Sequence, residues 1–342
     1  MPYLASIANV RAARSASLIN KPETLLGRMK EALHHPVVPL EKLDELWFQI
    51  TGTRCNLKCT HCFISCSPTN TSFGNLDRAE VEQRLEESKA FGVKDYYFTG
   101  GEPFLHPEIV EILAAALQYG PVTVLTNGTV MTPAIVDALR QAVDASMYSL
   151  ELRVSIDHFD EAKNDAIRGD GSFRLAMRGV SRLAAGGFLP IITAMRTWEL
   201  DEDLDVLDEL ARLLRGSGVD KPRIKILPSL KMGAEAERDV GYEDYDFVTE
   251  DMMVDFPVEQ LTCSHSRVVT DRGIHVCPIL IESPDSVLGQ SLEEATKGFT
   301  LRHQACSTCY LFGAFCINPA GILTETGPKI ARKWPVLEVT LS

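Results

Sequence analysis

Cys55-Asn-Leu-Lys-Cys59-Thr-His-Cys62 directly follows an apolar run, LWFQITGT (46–53), so three thiols project from one loop at the end of an expected strand. Three thiolates leave a metal site one ligand short. A structural zinc site takes four closed ligands, usually from two separated pairs, and this trio completes a tetrahedron only with help from Cys66 or His61. A cubane iron–sulfur cluster on three thiolates instead keeps one iron open to an exogenous ligand. A second group, Cys263, Cys277, Cys306, Cys309 and Cys316, lies near the end of the chain. The segment SRVVTDRGIHVCP reads as a hairpin turning at Asp-Arg-Gly, which would bring Cys263 and Cys277 together. Cys306-Ser-Thr-Cys309 adds a close pair, with Cys316 seven positions beyond. Four thiols from two pairs saturate either a zinc ion or a cluster, and spacing alone leaves both open.

Between the two groups, short β-branched and aromatic runs alternate with longer amphipathic segments, as in βα units around a parallel sheet. The expected strands are 46–53, 95–100, 122–128, 150–157, 189–196 and 222–228, and the expected helices 76–92, 106–120, 132–143, 172–186 and 201–215. The helix over 76–92 has an acidic first turn and stops at Gly92. Six such repeats predict an α/β fold, a partial (β/α)6 TIM-like barrel or an open doubly wound sheet. In either, ligands gather at the C-terminal ends of the strands. Residues 1–44 form an N-terminal extension with a short helix expected in KPETLLGRMKEALHHP, and 45–235 the barrel. Residues 236–342 begin with an acidic, irregular linker and continue into the cysteine-rich extension.

The chain has 342 residues, 45% hydrophobic and 24% charged, enough apolar material to bury a sizeable core. A net charge of -13 opposes attraction to nucleic acid or anionic membranes. No apolar run approaches the ~18 residues of a membrane span, and the start lacks a compact signal core, which predicts a cytoplasmic protein. In a reducing compartment nine cysteines point to metal ligation and not to disulfides.

The CxxxCxxC spacing, with the ring of His61 before the last cysteine, resembles the signature of the radical S-adenosylmethionine superfamily. GGEP (100–103), TNG (126–128) and VSID (154–157), at the ends of the second, third and fourth strands, extend the resemblance, and HFDEAKNDAIRGDGSF (158–173) matches a further motif in its second half; together they cover roughly residues 46–230. The resemblance implies that Cys55, Cys59 and Cys62 hold a 4Fe-4S cluster whose open iron chelates S-adenosylmethionine. One-electron cleavage would then give a 5'-deoxyadenosyl radical for hydrogen abstraction. It implies that Gly100 and Gly101 let the backbone approach the cofactor, that Glu102 receives its ammonium group, that Thr126 and Asn127 line its pocket, and that Ser155, Asp157 and Arg168 contact its ribose or carboxylate. Arg168 has a plainer reading as a partner of Asp165 or Asp170, His61 as a hydrogen-bonding ring, and Cys66 as a spare thiol.

The C-terminal pattern, Cys…Gly…Cys, then LGQSLEEA, then CxxC, resembles the SPASM/twitch extension that carries auxiliary 4Fe-4S clusters. Here three residues separate Gly273 from Cys277, one fewer than usual, and no further cysteine follows Cys316, so a single auxiliary cluster is expected. Its ligands would be Cys263, Cys277, Cys306 and Cys309, with Cys316 as the alternative. An electron donor such as flavodoxin or ferredoxin is implied as a partner. The short N-terminal segment shows no leader-peptide-binding domain, which favours a small-molecule substrate over a peptide. Strand alternation puts Thr193, Met195, Arg196 and Lys225 near that substrate, and His265, His275 and Tyr310 could reach inward from the extension. Two other classes stay open: a zinc-bearing interaction protein, colourless and inert towards S-adenosylmethionine, and a brown iron–sulfur electron carrier that does not bind it.

Overall fold

In a computed structural model of the chain, residues 35–313 and 339–340 are described. The N-terminal helix expected within 1–34 and Cys316 lie outside the described residues. After a short strand β1 (Val37–Val38), six parallel strands follow in chain order: β2 (Glu45–Gln49), β3 (Asp95–Thr99), β4 (Val122–Thr126), β5 (Leu150–Ser155), β6 (Ile191–Met195) and β7 (Arg223–Leu227). The helices α1 (Arg78–Ser88), α2 (Ile109–Ala116), α3 (Pro133–Asp144), α4 (Glu161–Arg168), α5 (Ser172–Ala185) and α6 (Asp203–Gly216) fill the crossovers. Their starts are chemically marked: Asp77, Thr132 and Asp160 each accept a backbone N–H of the first turn, and Pro133 opens α3.

Neighbouring strands in the sheet are neighbours in sequence, with no reversal of order from β2 to β7. A doubly wound sheet reverses its strand order part-way and covers both faces with helices. Here strand alternation separates the faces. Phe48, Phe98, Val124, Val154, Ile192 and Ile224 join the helical residues Leu113, Leu139, Val180 and Leu210 in the main core, while Trp47 and Tyr97 pack with the cysteine loop in another cluster. The architecture is therefore the incomplete barrel, since β2 and β7 do not pair with each other.

Beyond β7 lies a short helix α7 (Ala234–Arg238), whose Ala234 N–H donates to the Cys62 carbonyl at 3.0 Å. The sequence boundary near 235 thus falls on a segment tied to the cysteine loop. Next come β8 (Ser266–Thr270), β9 (Gly273–His275), β10 (Val287–Gly289), β11 (Phe299–Thr300), the helix α8 (Cys306–Phe312) and β12 (Val339–Thr340). The β8–β9 hairpin forms as its turn residues predict. What the sequence did not indicate is that β8 pairs in parallel with β2, so the C-terminal segment prolongs the barrel sheet, while β12 pairs with β7 at the other edge.

That pairing covers the ladder groups of Glu45–Phe48, which would otherwise be a bare edge of apolar residues. Truncation after residue 235 should therefore give an aggregating chain; sedimentation of truncated against full-length protein checks this, and a soluble, folded 1–235 would show that the two parts are independent.

Candidate functional site

A cavity of about 220 Å³ opens at the C-terminal ends of β2 to β7, and Cys55, Cys59 and Cys62 all line it. Burial pushes the Cys55 thiol up to about 12 and Cys59 up to about 11, with the neighbouring thiols adding to the effect. Cys62 is shifted the other way, chiefly by the side chain and N–H of Cys66. Cys66 also lines the cavity, and its N–H donates to Cys62 Sγ at 3.2 Å, so it adjoins the trio and is not remote from it. The Leu57 N–H reaches Cys55 Sγ at 3.4 Å and the Asn127 amide reaches it at 3.7 Å. Crowded sulfurs that receive N–H groups suit a cluster bound as thiolates, because those donors and the metal offset the charge that burial disfavours.

Gly100 and Gly101 line the cavity, and packing by itself already requires glycine at both. A Cβ on Gly101 would collide with the Arg54 carbonyl, and one on Gly100, whose φ is +149°, would collide with Thr51 Oγ1. The missing side chains let the end of β3 pack directly on the chain that leads into the cysteine loop.

Two residues expected at the cofactor, Glu102 and Asp157, are engaged by protein partners. The Glu102 carboxylate is fully buried and does not line the cavity; it accepts from Thr126 Oγ1 at 2.7 Å, the Asn127 N–H at 2.7 Å and the Phe104 N–H at 3.1 Å. Burial pushes it up to about 7 against these bonds, and it ties the turn after β3 to the end of β4. Asp157 is likewise absent from the wall. His61 Nε2 lies 2.6 Å from its Oδ2, Arg168 Nε lies 2.6 Å from the same oxygen, and its Oδ1 accepts from Arg168 Nη2 at 3.0 Å and the Met195 N–H at 2.9 Å. Burial disfavours this carboxylate, yet Arg168 and His61 outweigh it and hold the group well below the usual carboxylate range.

Thr126, Asn127, Ser155 and Arg168 do line the cavity, and Arg168 pairs with Asp157, not with Asp165 or Asp170. Of the expected substrate-side residues, Thr193 and Met195 reach it; Lys225 is buried but is not part of the wall, and Arg196 is turned away in a two-pronged pair with Asp203 at 2.9 and 2.7 Å. His265 pairs with Glu45, His275 bonds Ser286 and Thr270, and Tyr310 donates to the Met252 carbonyl, so none of the three reaches inward. Burial holds His275 down to about 4.

Cys263, Cys277, Cys306 and Cys309 converge on a second, smaller cavity of about 20 Å³, brought there by the β8–β9 hairpin and α8. Burial, then the neighbouring thiol, pushes Cys263 up to about 12, and Cys277 and Cys306 are raised as well. Ile279 lines both cavities, so the segment after Cys277 is a wall between them.

Residues 50–214, which hold the cysteine trio and four of the six barrel strands, β3 to β6, match the Radical SAM superfamily. This region is similar to radical SAM domains. A 167-residue stretch is 30% identical to mycofactocin maturase MftC of Mycobacterium tuberculosis, covering 47% of this chain and 41% of that protein. Another of 136 residues is 34% identical to the AdoMet-dependent heme synthase of Methanosarcina barkeri, covering 39% and 37%. The chain thus spans about two-fifths of the length of these curated relatives. The fold is similar to that of native anSMEcpe with bound AdoMet, with a TM-score of 0.55 at 16% identity over 73% of this chain and 79% of that one. Among the described residues no helix is long and apolar enough to cross a membrane.

Replacing Asp157 by Asn should cost about 3–5 kcal/mol, because it leaves buried cationic partners without their counter-charge. Since the folded carboxyl titrates below its unfolded value of ~4, the wild-type advantage is present above that pH and is lost as pH falls below it. Urea midpoints of both proteins between pH 3 and 7 check the prediction; equal midpoints at pH 7 would contradict it.

Proposed function

We propose that this chain is a radical S-adenosylmethionine enzyme that modifies a small molecule, with Cys55, Cys59 and Cys62 as ligands of the reactive 4Fe-4S cluster. The observation that carries the reading is the convergence of three thiols from one loop on a cavity at the strand ends, with glycine backbone beside them. When bound, the cluster and S-adenosylmethionine supply reductive cleavage to a 5'-deoxyadenosyl radical, which takes a hydrogen atom from substrate.

The protein's share is positioning. N–H groups of Leu57, Cys66 and Asn127 stabilise the thiolates. The Gly100–Gly101 backbone, Thr126 and Asn127 form the wall for the methionine part, and Ser155 and Arg168 offer polar contacts to the ribose or carboxylate. Leu125, Met195, Leu227, Leu230, Pro278 and Ile279 keep the rest of the cavity apolar and exclude water from a reactive intermediate.

The second thiol group is assigned to one auxiliary 4Fe-4S cluster on Cys263, Cys277, Cys306 and Cys309. Its place behind Ile279 suits electron exchange with the reaction site, fed by a flavodoxin or ferredoxin. The likeness to a mycofactocin maturase favours a second reading, in which the substrate is a peptide.

Iron and acid-labile sulfide should reach about eight per chain after anaerobic reconstitution, falling to about four in the Cys55→Ala/Cys59→Ala/Cys62→Ala variant. The wild type should release 5'-deoxyadenosine on reduction with S-adenosylmethionine, and the variant should not. About four irons falling to zero would remove the auxiliary cluster, and no iron in either protein would overturn the enzyme reading.

A further inference from the structure

Arg267, the second residue of β8, is 1% exposed, and its guanidinium bonds only to backbone carbonyls. Nε donates to the Ala295 carbonyl at 2.7 Å, Nη1 to those of Cys263 at 2.8 Å and Ser266 at 2.6 Å, and Nη2 to that of Lys297 at 2.9 Å. Neutral carbonyls satisfy its hydrogens but bring no counter-charge, and among the described residues no carboxylate pairs with it. A charge so deeply buried is strongly disfavoured unless an opposite charge answers it.

The answering charge can arise next door. Cys263, whose carbonyl Arg267 holds, is one of the four cysteines that line the smaller cavity. As thiols these are neutral; as thiolates around a metal centre they carry net negative charge. A second feature of the same wall points the same way. Thr262 lines this cavity too, and its Oγ1 is buried with no hydrogen-bond partner among the described residues. An orphaned hydroxyl is a standing cost that an acceptor relieves, and metal-bound sulfur is such an acceptor.

We propose that Arg267 and Thr262 are the electrostatic frame of the C-terminal thiol site: they offset the negative charge of a 4Fe-4S cluster on Cys263, Cys277, Cys306 and Cys309 and favour its reduced form. This rests on the auxiliary-cluster reading and names the residues that tune that cluster. The step they bias is the addition of one electron to the oxidised cluster from a low-potential one-electron donor of the flavodoxin or ferredoxin class; no bond breaks and no proton moves. Reduction makes the centre more negative, so a fixed buried cation beside it and a hydroxyl hydrogen bond to its sulfur both raise its potential.

The test is an EPR-monitored redox titration of the full-length Cys55→Ala/Cys59→Ala/Cys62→Ala protein after anaerobic reconstitution, where the remaining iron reports the C-terminal site. R267Q, R267K and T262V are added to that background. The equilibrium constant for electron uptake should fall about tenfold or more in R267Q, a drop of about 59 mV for one electron. It should fall severalfold in T262V and change little in R267K, which keeps the charge. Arg267 is deeply buried, so if R267Q fails to fold, T262V carries the test, because valine keeps the shape of threonine and removes only the hydroxyl. A potential unchanged or raised in T262V or in folded R267Q, or R267K displaced as far as R267Q, overturns the proposal. Iron and zinc are counted in the same preparations. About four irons with potentials that do not move overturn this role alone, whereas no iron, or zinc in its place, overturns the auxiliary-cluster reading and this role with it.

Discussion

The Asp157 carboxylate does not touch the cavity, yet the cavity's shape depends on it. Three segments meet on its two oxygens: the cysteine loop through His61, the end of α4 through Arg168, and the end of β6 through the Met195 N–H. A fully buried carboxylate is tolerated only when such partners surround it, so the three segments cannot separate without exposing an uncompensated charge. Arg168 is thereby held against the wall that Cys59 also lines. The ion pairs act here as a joint that fixes geometry, and their net contribution to stability is secondary.

Glu102 plays the same part on the other side of the site. Two of its three hydrogen bonds bind the turn after β3 to Thr126 and Asn127, while the glycines before it press β3 onto the approach to Cys55. Two buried carboxylates thus tie segments around the cavity together, Glu102 through hydrogen bonds and Asp157 chiefly through ion pairs.

The C-terminal segment is joined to this frame by backbone pairing. Because β8 continues the sheet beyond β2, the hairpin that carries Cys263 and Cys277 towards each other has its position set by the barrel. The two cavities consequently share the wall at Ile279. A flexible tether would not hold two thiol groups in a constant relation; a parallel ladder does.

Much of this was legible in the residues. Each expected barrel strand contains or overlaps the observed one, as 122–128 contains Val122–Thr126, because β-branched runs bounded by turns report a local preference. The expected helix over 132–143 is Pro133–Asp144, since its cap and its proline act within one turn. The cysteine spacing placed three thiols on one loop for the same reason. The protein partners of Glu102 and Asp157 were not legible, because polar residues at strand ends look alike until the chain is folded. His61 stands 96 positions from Asp157, and Glu45 stands 220 from His265. The sequence by itself determined the local elements and the inventory of thiols and charges, whose information is confined to a few neighbouring residues. The tertiary structure alone decided which carboxylates face inward and which brace the wall, and that β8 docks on β2, because burial and pairing are properties of segments that meet only when the chain is folded.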